Sequence, residues 1–370
     1  MSIPLFDCRV DSTRLAALDP LWHSGALAAG PGVGALEARL SNRFNGRPVV
    51  ATSDMTQALC LALRLVGVGP GDEVVTLALN CMSSNSAIAM VGATPVWVDV
   101  DPRTAVVDLG DLAACIGPKT RAVVIYHVAG YVGDLAALRQ LCDDASLPLI
   151  EDANNALGAR WNGQPAGIFG DQAILSFYPN RQLNGIEGGA LVCRPENETR
   201  ARRLRRFGID TVRFRTPDGE IDPLLDVPEI GVSASLSHVN AVLALQGCED
   251  LDERVDRNRQ NVRDIREALS GIGDFQFIEE VEGAHSVFWV ALVRSPRRDA
   301  LMGRLKASGI QCSRLHHRND RYSGFNAVSR DLPGTDVMER EMFALPAGWW
   351  LSQDDLARIV DVVGADAKGR

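Results

Sequence analysis

Strands and helices alternate between residues 48 and 195, and this alternation constrains the fold more than any other feature of the chain. Apolar runs predict strands at 49–52, 73–77, 95–100, 121–127, 147–152, 173–177 and 190–193. Helical patterns lie between several of them, at 56–66, 82–91 and 135–145. Alternation of this kind predicts an α/β fold, with a mostly parallel sheet covered by helices on both faces.

The C-terminal third follows a different pattern. A loop rich in proline and glycine at 208–232 leads into a long helical tract at 236–269. Beyond it we predict strands at 286–293 and 310–314, and helices at 299–308 and 353–363. The chain is therefore expected to form a large α/β domain over 1–235 and a smaller α+β domain over 236–370.

The amino-acid composition of the chain argues against several classes of binding partner. The net charge of −9 argues against nucleic acid or an anionic membrane surface, because both attract basic faces. No apolar run approaches the roughly 18 residues of a membrane helix, and the first residues lack a signal-peptide pattern. Eight cysteines without metal-type spacing indicate a reducing compartment and predict no metal site. A cytoplasmic protein with a small-molecule ligand is the expectation.

Polar segments follow the predicted strands. In open α/β sheets, ligands bind at the carboxyl ends of the strands. We therefore expect one cleft to be shared by the segments at 52–56, 80–84, 127–130, 152–155 and 176–181.

Several short motifs recur in a characteristic order. They are GPGDEVV at 69–75, GATPVWVDVD at 92–101, LPLIEDA at 147–153, EGGALV at 187–192 and LP at 345–346. In this order they resemble the sugar aminotransferases of the DegT/DnrJ/StrS family, over about 30–365. The resemblance implies fold-type I architecture, pyridoxal phosphate (PLP) as cofactor, a sugar or nucleotide-sugar substrate, and a homodimer with sites at its interface.

Five positions are the predicted cofactor contacts: the resemblance implies that four of them match the family, whereas the fifth, Cys81, departs from it. Asp152 matches the aspartate that faces the pyridinium nitrogen and keeps it protonated. Asn155 lies where the family has a side chain near the ring O3′, and Ser176 and Thr56 match hydroxyls that contact the phosphate. Cys81 stands where an aromatic residue commonly stacks on the ring.

Other positions depart from the family pattern. The lysine that forms the Schiff base falls on Arg181, and a guanidinium is not an amine nucleophile. Asp54 replaces a serine of the phosphate loop, where a carboxylate would repel a phosphate dianion. The residues that cross the dimer interface in the family align with Ser233 and Ser235. We therefore expect PLP or its amine form PMP to be held without a covalent bond, or no cofactor at all.

Each candidate residue has a functional and a structural interpretation. Arg181 is predicted to clamp an anion, or to form a structural ion pair. His127 is a candidate general base or a hydrogen-bonded core histidine, and Asp54 a ligand contact or a helix N-cap. The predicted catalytic residues are Arg181, Asp152 and His127. The predicted substrate contacts are Asp54, Arg181, His316, His317 and Asn319.

Four functions remain open at this point. The favoured one is a nucleotide-sugar or antibiotic-sugar enzyme that performs chemistry other than transamination, with non-covalent PLP or PMP. The second is a cofactor-free acid–base or condensation enzyme that binds an anionic sugar. The others are a non-catalytic paralogue of an active aminotransferase, and an ordinary PLP-dependent sugar aminotransferase.

Overall fold

Strands buried on both faces form the centre of the molecule. The computed structural model describes residues 2–10, 12–272 and 274–368. In chain order the strands are β1 (Val49–Thr52), β2 (Glu73–Leu77), β3 (Thr94–Val98), β4 (Thr120–Tyr126), β5 (Leu149–Asp152), β6 (Arg160–Trp161), β7 (Gln164–Pro165), β8 (Gln172–Ser176), β9 (Gly189–Cys193), β10 (Gln276–Phe277), β11 (Ala284–His285), β12 (Ala291–Arg294) and β13 (Met342–Leu345).

Helices surround these strands. They are α1 (Ser12–Ala16), α2 (Asp19–Ser24), α3 (Pro31–Arg43), α4 (Met55–Leu65), α5 (Met82–Met90), α6 (Leu109–Cys115), α7 (Leu135–Asp144), α8 (Glu198–Leu204), α9 (His238–Gln246), α10 (Leu251–Ala268), α11 (Arg298–Ala307), α12 (Pro333–Glu341) and α13 (Gln353–Lys368).

The main sheet has seven strands in the order β1-β9-β8-β5-β4-β2-β3. The pairs among β8, β5, β4, β2 and β3 are parallel, whereas β9 is antiparallel to both of its neighbours. Six strands therefore share one direction, and their carboxyl ends meet at one edge. The predicted α/β fold with a mostly parallel sheet is confirmed.

Alternate residues of each strand enter two different cores. Val75 and Val123 belong to the larger core, which α3, α6, α7, α9 and α10 cover. Their neighbours Val74 and Val124 point to the smaller core, which contains α4, α5 and α8. Because successive strand side chains point to opposite faces, both faces must be apolar. This requirement explains the near-continuous apolar runs in the sequence.

Three sequence predictions in the C-terminal part were wrong in detail. The tract at 236–269 forms two helices, α9 and α10, with Gly247 as the C-cap of the first; glycine is a poor helix former. Of the predicted strand at 286–293, only 291–293 lie in a strand, β12; Phe288 before it has a φ of 47°, which no strand residue adopts. Ile310 and Ser313 make single bridges to different partners, so 310–314 forms no ladder.

The C-terminal part has its own small sheet, with the order β10-β12-β13 and antiparallel pairing. α9 lies against α3, whereas α10 and α11 contact α13. The division at 235/236 remains a prediction. Within the described ranges, no helix is long and apolar enough to cross a membrane.

Candidate active site

A cavity of about 500 Å³ opens where the carboxyl ends of the main strands meet C-terminal residues. Its walls come from the start of α4, the segment before α5, the loop after β8 and the stretch around residue 315. Six predicted site residues line this cavity together: Asp54, Thr56, Cys81, Ser176, Arg181 and His316. Thus one cavity unites segments more than 250 positions apart in the chain.

Arg181 is the cation of this cavity. It is 8% exposed, and its guanidinium lies 4.6 Å from the centre of the Trp289 ring. Nη1 donates to Asn180 Oδ1 at 2.6 Å, whereas the buried Nε has no acceptor. In the described part of the chain, no carboxylate forms an ion pair with Arg181. Burial lowers the pKa of Arg181, and nearby groups that include Tyr126, Cys81 and Asp152 oppose this shift.

Asp152 lies at the end of β5 and is fully buried. Oδ2 accepts a hydrogen bond from Ser84 Oγ at 2.5 Å, and Oδ1 accepts from Asn154 Nδ2 at 2.7 Å. Burial raises the pKa of Asp152, and the bonds from Ser84 and Asn154 oppose that rise. The residue is not among those that line the cavity, and it is held by two polar neighbours.

Tyr126 connects two predicted residues, Asn155 and His316. Its hydroxyl oxygen accepts from Asn155 Nδ2 at 2.6 Å and from Ala129 N at 3.1 Å, and lies 3.0 Å from His316 Nε2. With both acceptor positions used, the single hydroxyl proton is directed to His316 Nε2. Burial lowers the pKa of His316 to about 3, and Arg181 adds to this shift. The imidazole is therefore a neutral acceptor at this contact.

The start of α4 is capped by the protein itself. Asp54 Oδ1 accepts from Gln57 N at 2.9 Å, and Oδ2 accepts from Ser53 Oγ at 2.9 Å. The hydroxyl of Thr56 donates to the Ser83 carbonyl at 3.4 Å. Asp54 is thus a helix N-cap and also a wall of the cavity.

Cys81 and Ser176 complete the wall. Cys81 Sγ lies 3.0 Å from Ser83 Oγ, and Ser176 Oγ accepts from Tyr178 N at 3.4 Å. Ser176 is 5% exposed, so its hydroxyl meets the cavity across a small area.

The structure does not bring His127 into this cavity. Its Nε2 lies 3.1 Å from Glu151 Oε2, and both side chains are buried. Glu151 also accepts from the backbone N–H groups of Gly167 and Gly170. His127 lines a separate cavity of about 270 Å³ next to α7. This placement fits the hydrogen-bonded core histidine better than a base in the Arg181 cavity.

His317 and Asn319 also lie elsewhere. His317 is half exposed and pairs through Nδ1 with Glu339 Oε1 at 2.5 Å. Asn319 is buried and donates to the Asn80 carbonyl at 2.9 Å, while its oxygen accepts from Asn85. Asn319 therefore braces the strand end that precedes Cys81, and it does not line the cavity.

Sequence reasoning missed Tyr126, Trp289 and Glu187. Trp289 stacks on Phe6, with ring centres 4.4 Å apart, and its Nε1 donates to the Asn180 carbonyl at 2.5 Å. Glu187 lines the cavity from the turn before β9. A buried tyrosine ending a strand is a weak signal, and nothing in the sequence pairs Trp289 with a loop 109 positions away.

The fold and this cavity define a protein of the fold-type I aminotransferase class. The chain belongs to the DegT/DnrJ/EryC1/StrS aminotransferase family, whose family model matches residues 9–364. This family is PLP-dependent, and its sugar aminotransferases serve nucleotide-sugar and antibiotic-sugar biosynthesis.

Three relatives illustrate the family. The chain is 32% identical over 361 residues to a dTDP-3-amino-3,4,6-trideoxy-alpha-D-glucose transaminase from Micromonospora megalomicea subsp. nigra, covering 94% of this chain and 93% of the relative. It is 26% identical to a pleiotropic regulatory protein from Geobacillus stearothermophilus, covering 98% of each. The crystal structure of the sugar aminotransferase CalS13 from Micromonospora echinospora matches with a TM-score of 0.92 at 32% identity, over 98% of this chain and 99% of that one.

Proposed function

We propose that this chain is a sugar-pathway enzyme that binds an anionic sugar ligand through Arg181 and does not perform ordinary transamination. The observation that carries the proposal is a buried guanidinium with no carboxylate partner in the described part of the chain. A buried charge without a partner is costly, and a bound carboxylate or phosphate would neutralise it.

The ligand class follows from the relatives. One of them is a transaminase named for a dTDP-linked amino sugar, and the solved CalS13 is a sugar aminotransferase. A cavity of about 500 Å³ has room for a sugar ring. We infer that a sugar, alone or as part of a nucleotide sugar, occupies the space beside Arg181.

The cavity residues fit the family cofactor poorly. A covalently held PLP needs a lysine amine, and the lysines are at positions 119, 306 and 368. Lys119 precedes β4, at the edge opposite the cavity, and Lys306 lies on α11. No lysine lines the cavity within the described residues. Arg181 lines the cavity at the position that the family resemblance assigns to the amine, which supports the proposal, and we derive no reaction step through PLP.

Arg181 suits electrostatic catalysis. A guanidinium fixed against Trp289 and Asn180 does not reorganise when negative charge develops on a neighbouring ligand oxygen. It is expected to remain protonated throughout, because an arginine guanidinium does not give up its proton in proteins. The proposal therefore covers those isomerisation, cyclisation and condensation reactions of a sugar in which negative charge builds on an oxygen.

Calorimetry with a dTDP-sugar tests the proposal. We expect Arg181→Met to weaken binding at least tenfold, roughly 1.4 kcal/mol, because the charge is lost while an unbranched side chain still packs on Trp289. Arg181→Lys retains a cation and should retain part of the affinity. Unchanged affinity in Arg181→Met would contradict the proposal.

Borohydride reduction in the presence of PLP provides an independent test. Mass spectrometry of peptides from the treated wild type should detect no pyridoxyl group on any cavity residue. Arg181→Lys is the positive control, because it restores an amine at this position. A pyridoxyl adduct on a cavity side chain of the wild type would favour the ordinary aminotransferase.

A second candidate is a non-catalytic partner of an active aminotransferase. The relative from Geobacillus stearothermophilus, which is named a regulatory protein, favours it. Ser233 and Ser235, at positions expected to cross the interface, also fit this reading. Co-purification with a lysine-bearing homologue would support it, and turnover by the isolated homo-oligomer would exclude it.

A further inference from the structure

Among the described residues, one cationic and two anionic side chains line the Arg181 cavity. Arg181 is the cation, whereas Asp54 and Glu187 are carboxylates at the α4 and β9 side. None of the three forms an ion pair within the part of the chain that the structure describes. A cavity with separated and unpaired charges of both signs is complementary to a ligand that carries both signs.

The start of α4 offers little to a phosphate. Helix N-termini bind anions through free N–H groups of the first turn. Here Asp54 takes the N–H of Gln57, and the hydroxyl of Thr56 is donated to the Ser83 carbonyl. The cap also adds a negative charge, and the buried Met55 follows it directly. An incoming phosphate would meet a carboxylate, and two donors at this helix start, Gln57 N and the Thr56 hydroxyl, are already used.

The same carboxylate can accept hydrogen bonds from a ligand. An ionised carboxylate has about four acceptor positions, and Asp54 uses two of them, for Gln57 N and Ser53 Oγ. Glu187 is exposed at the cavity and adds a second negative charge. An ammonium group is the sugar substituent that gains most from two carboxylates in one cavity.

We infer that the ligand is an amino sugar acid, with its carboxylate at Arg181 and its protonated amine at Asp54 and Glu187. This inference rests on the proposed anion contact of Arg181. It adds the polarity of the ligand and assigns Asp54 and Glu187 as specificity-determining residues. The family resemblance predicts that the start of α4 binds a phosphate. Here this end of the cavity carries negative charge and is instead inferred to bind a cationic group.

Calorimetry with three probes tests this polarity. The probes are 2-amino-2-deoxyglucuronic acid, glucuronic acid without the amine, and glucosamine without the carboxylate. We expect the wild-type chain to bind the first probe about two- to fivefold more tightly than glucuronic acid, as for one partly exposed charge pair, and at least tenfold more tightly than glucosamine, which lacks the carboxylate for Arg181. Equal affinity for 2-amino-2-deoxyglucuronic acid and glucuronic acid would overturn the inference.

Substitutions test the amine-binding and the carboxylate-binding ends of the cavity separately. Asp54→Asn keeps the helix cap, because asparagine is an equally good N-cap, and removes the charge. It should reduce the preference for the amine, and Asp54→Asn with Glu187→Gln should abolish it, while the preference for the carboxylate persists. Asp134→Asn, at the N-cap of α7 outside the cavity, is the matched control and should leave both preferences unchanged.

Arg181→Met distinguishes this inference from the proposed function. If the carboxylate preference does not depend on Arg181, the proposed function fails. If it depends on Arg181 but the double variant still prefers the amine, only the assignment of Asp54 and Glu187 is overturned. Thermal unfolding of each variant confirms that the compared proteins are folded.

Discussion

At the scale of single residues, the hydroxyl of Tyr126 connects Asn155 and Ala129 to His316, which lines the cavity. It accepts from Asn155 Nδ2 and Ala129 N and contacts His316 Nε2. Tyr126→Phe would leave the buried donors of Asn155 and Ala129 without this acceptor and would remove the contact to the partly buried His316, so we expect a loss of about 2–4 kcal/mol in the free energy of unfolding. Urea denaturation measures it.

Tyr131 provides the control for this change. It is equally buried, but its hydroxyl accepts only from Leu292 N among the described contacts. Tyr131→Phe should therefore cost about 1 kcal/mol, the value of a single hydrogen bond. Equal losses in the two variants would mean that the Tyr126 network contributes nothing beyond one bond.

His316 makes stability depend on pH. Its folded-state pKa is lowered to about 3 from an ordinary value of 6.5. Between these values the unfolded chain binds the extra proton, so stability falls as pH drops below 6.5, by at most about 1.4 kcal/mol per pH unit. His316→Gln cannot titrate but can still accept from Tyr126, so it should lose less stability between pH 6.5 and 5. Urea midpoints across this range check the difference in slope.

At the scale of elements, the sequence predicted the strands well because each is buried on both faces. β2, for example, was predicted at its observed bounds. The reversed direction of β9 could not be predicted, because direction depends on the path of the loop after β8. The break at Phe288 was also hidden, since a positive φ at phenylalanine has no composition signal.

The residues that line the cavity could be predicted from the sequence only in part, because the direction of a side chain also depends on tertiary structure. Asp54 and Thr56 follow β1 and Ser176 ends β8, and the edge of a parallel sheet brings strand ends together. His127 also follows a strand but turns toward Glu151, the residue before Asp152. Strand position therefore predicts proximity to the edge, whereas the direction of a side chain depends on its tertiary partner.

Close packing between β9 and α4 fixes the position of the Asp54 cap. A Cβ on Gly189 would lie 2.6 Å from Met55 N and from the Asp54 carbonyl carbon. Because backbone cannot yield as a side chain can, we expect Gly189→Ala to destabilise the fold by about 1–3 kcal/mol. Gly34→Ala, in α3 with open space around it, should instead stabilise by about 0.5–1 kcal/mol. Thermal unfolding compares both variants, and a neutral Gly189→Ala would refute this account of the contact.

At the scale of the whole molecule, the segment 207–230 predicts self-association. Val212 and Leu224 are 88% and 90% exposed, and Ile230 is 71% exposed, so apolar side chains cluster along one loop. Covering such a surface with a second copy would remove it from water, in agreement with the homodimer that the family resemblance implies. We expect sedimentation to find a dimer, and Val212→Asp with Leu224→Asp to shift it to monomer. Val328→Asp, at 82% exposure outside this segment, should leave the dimer intact. A wild type that stays monomeric at micromolar concentration would contradict the prediction.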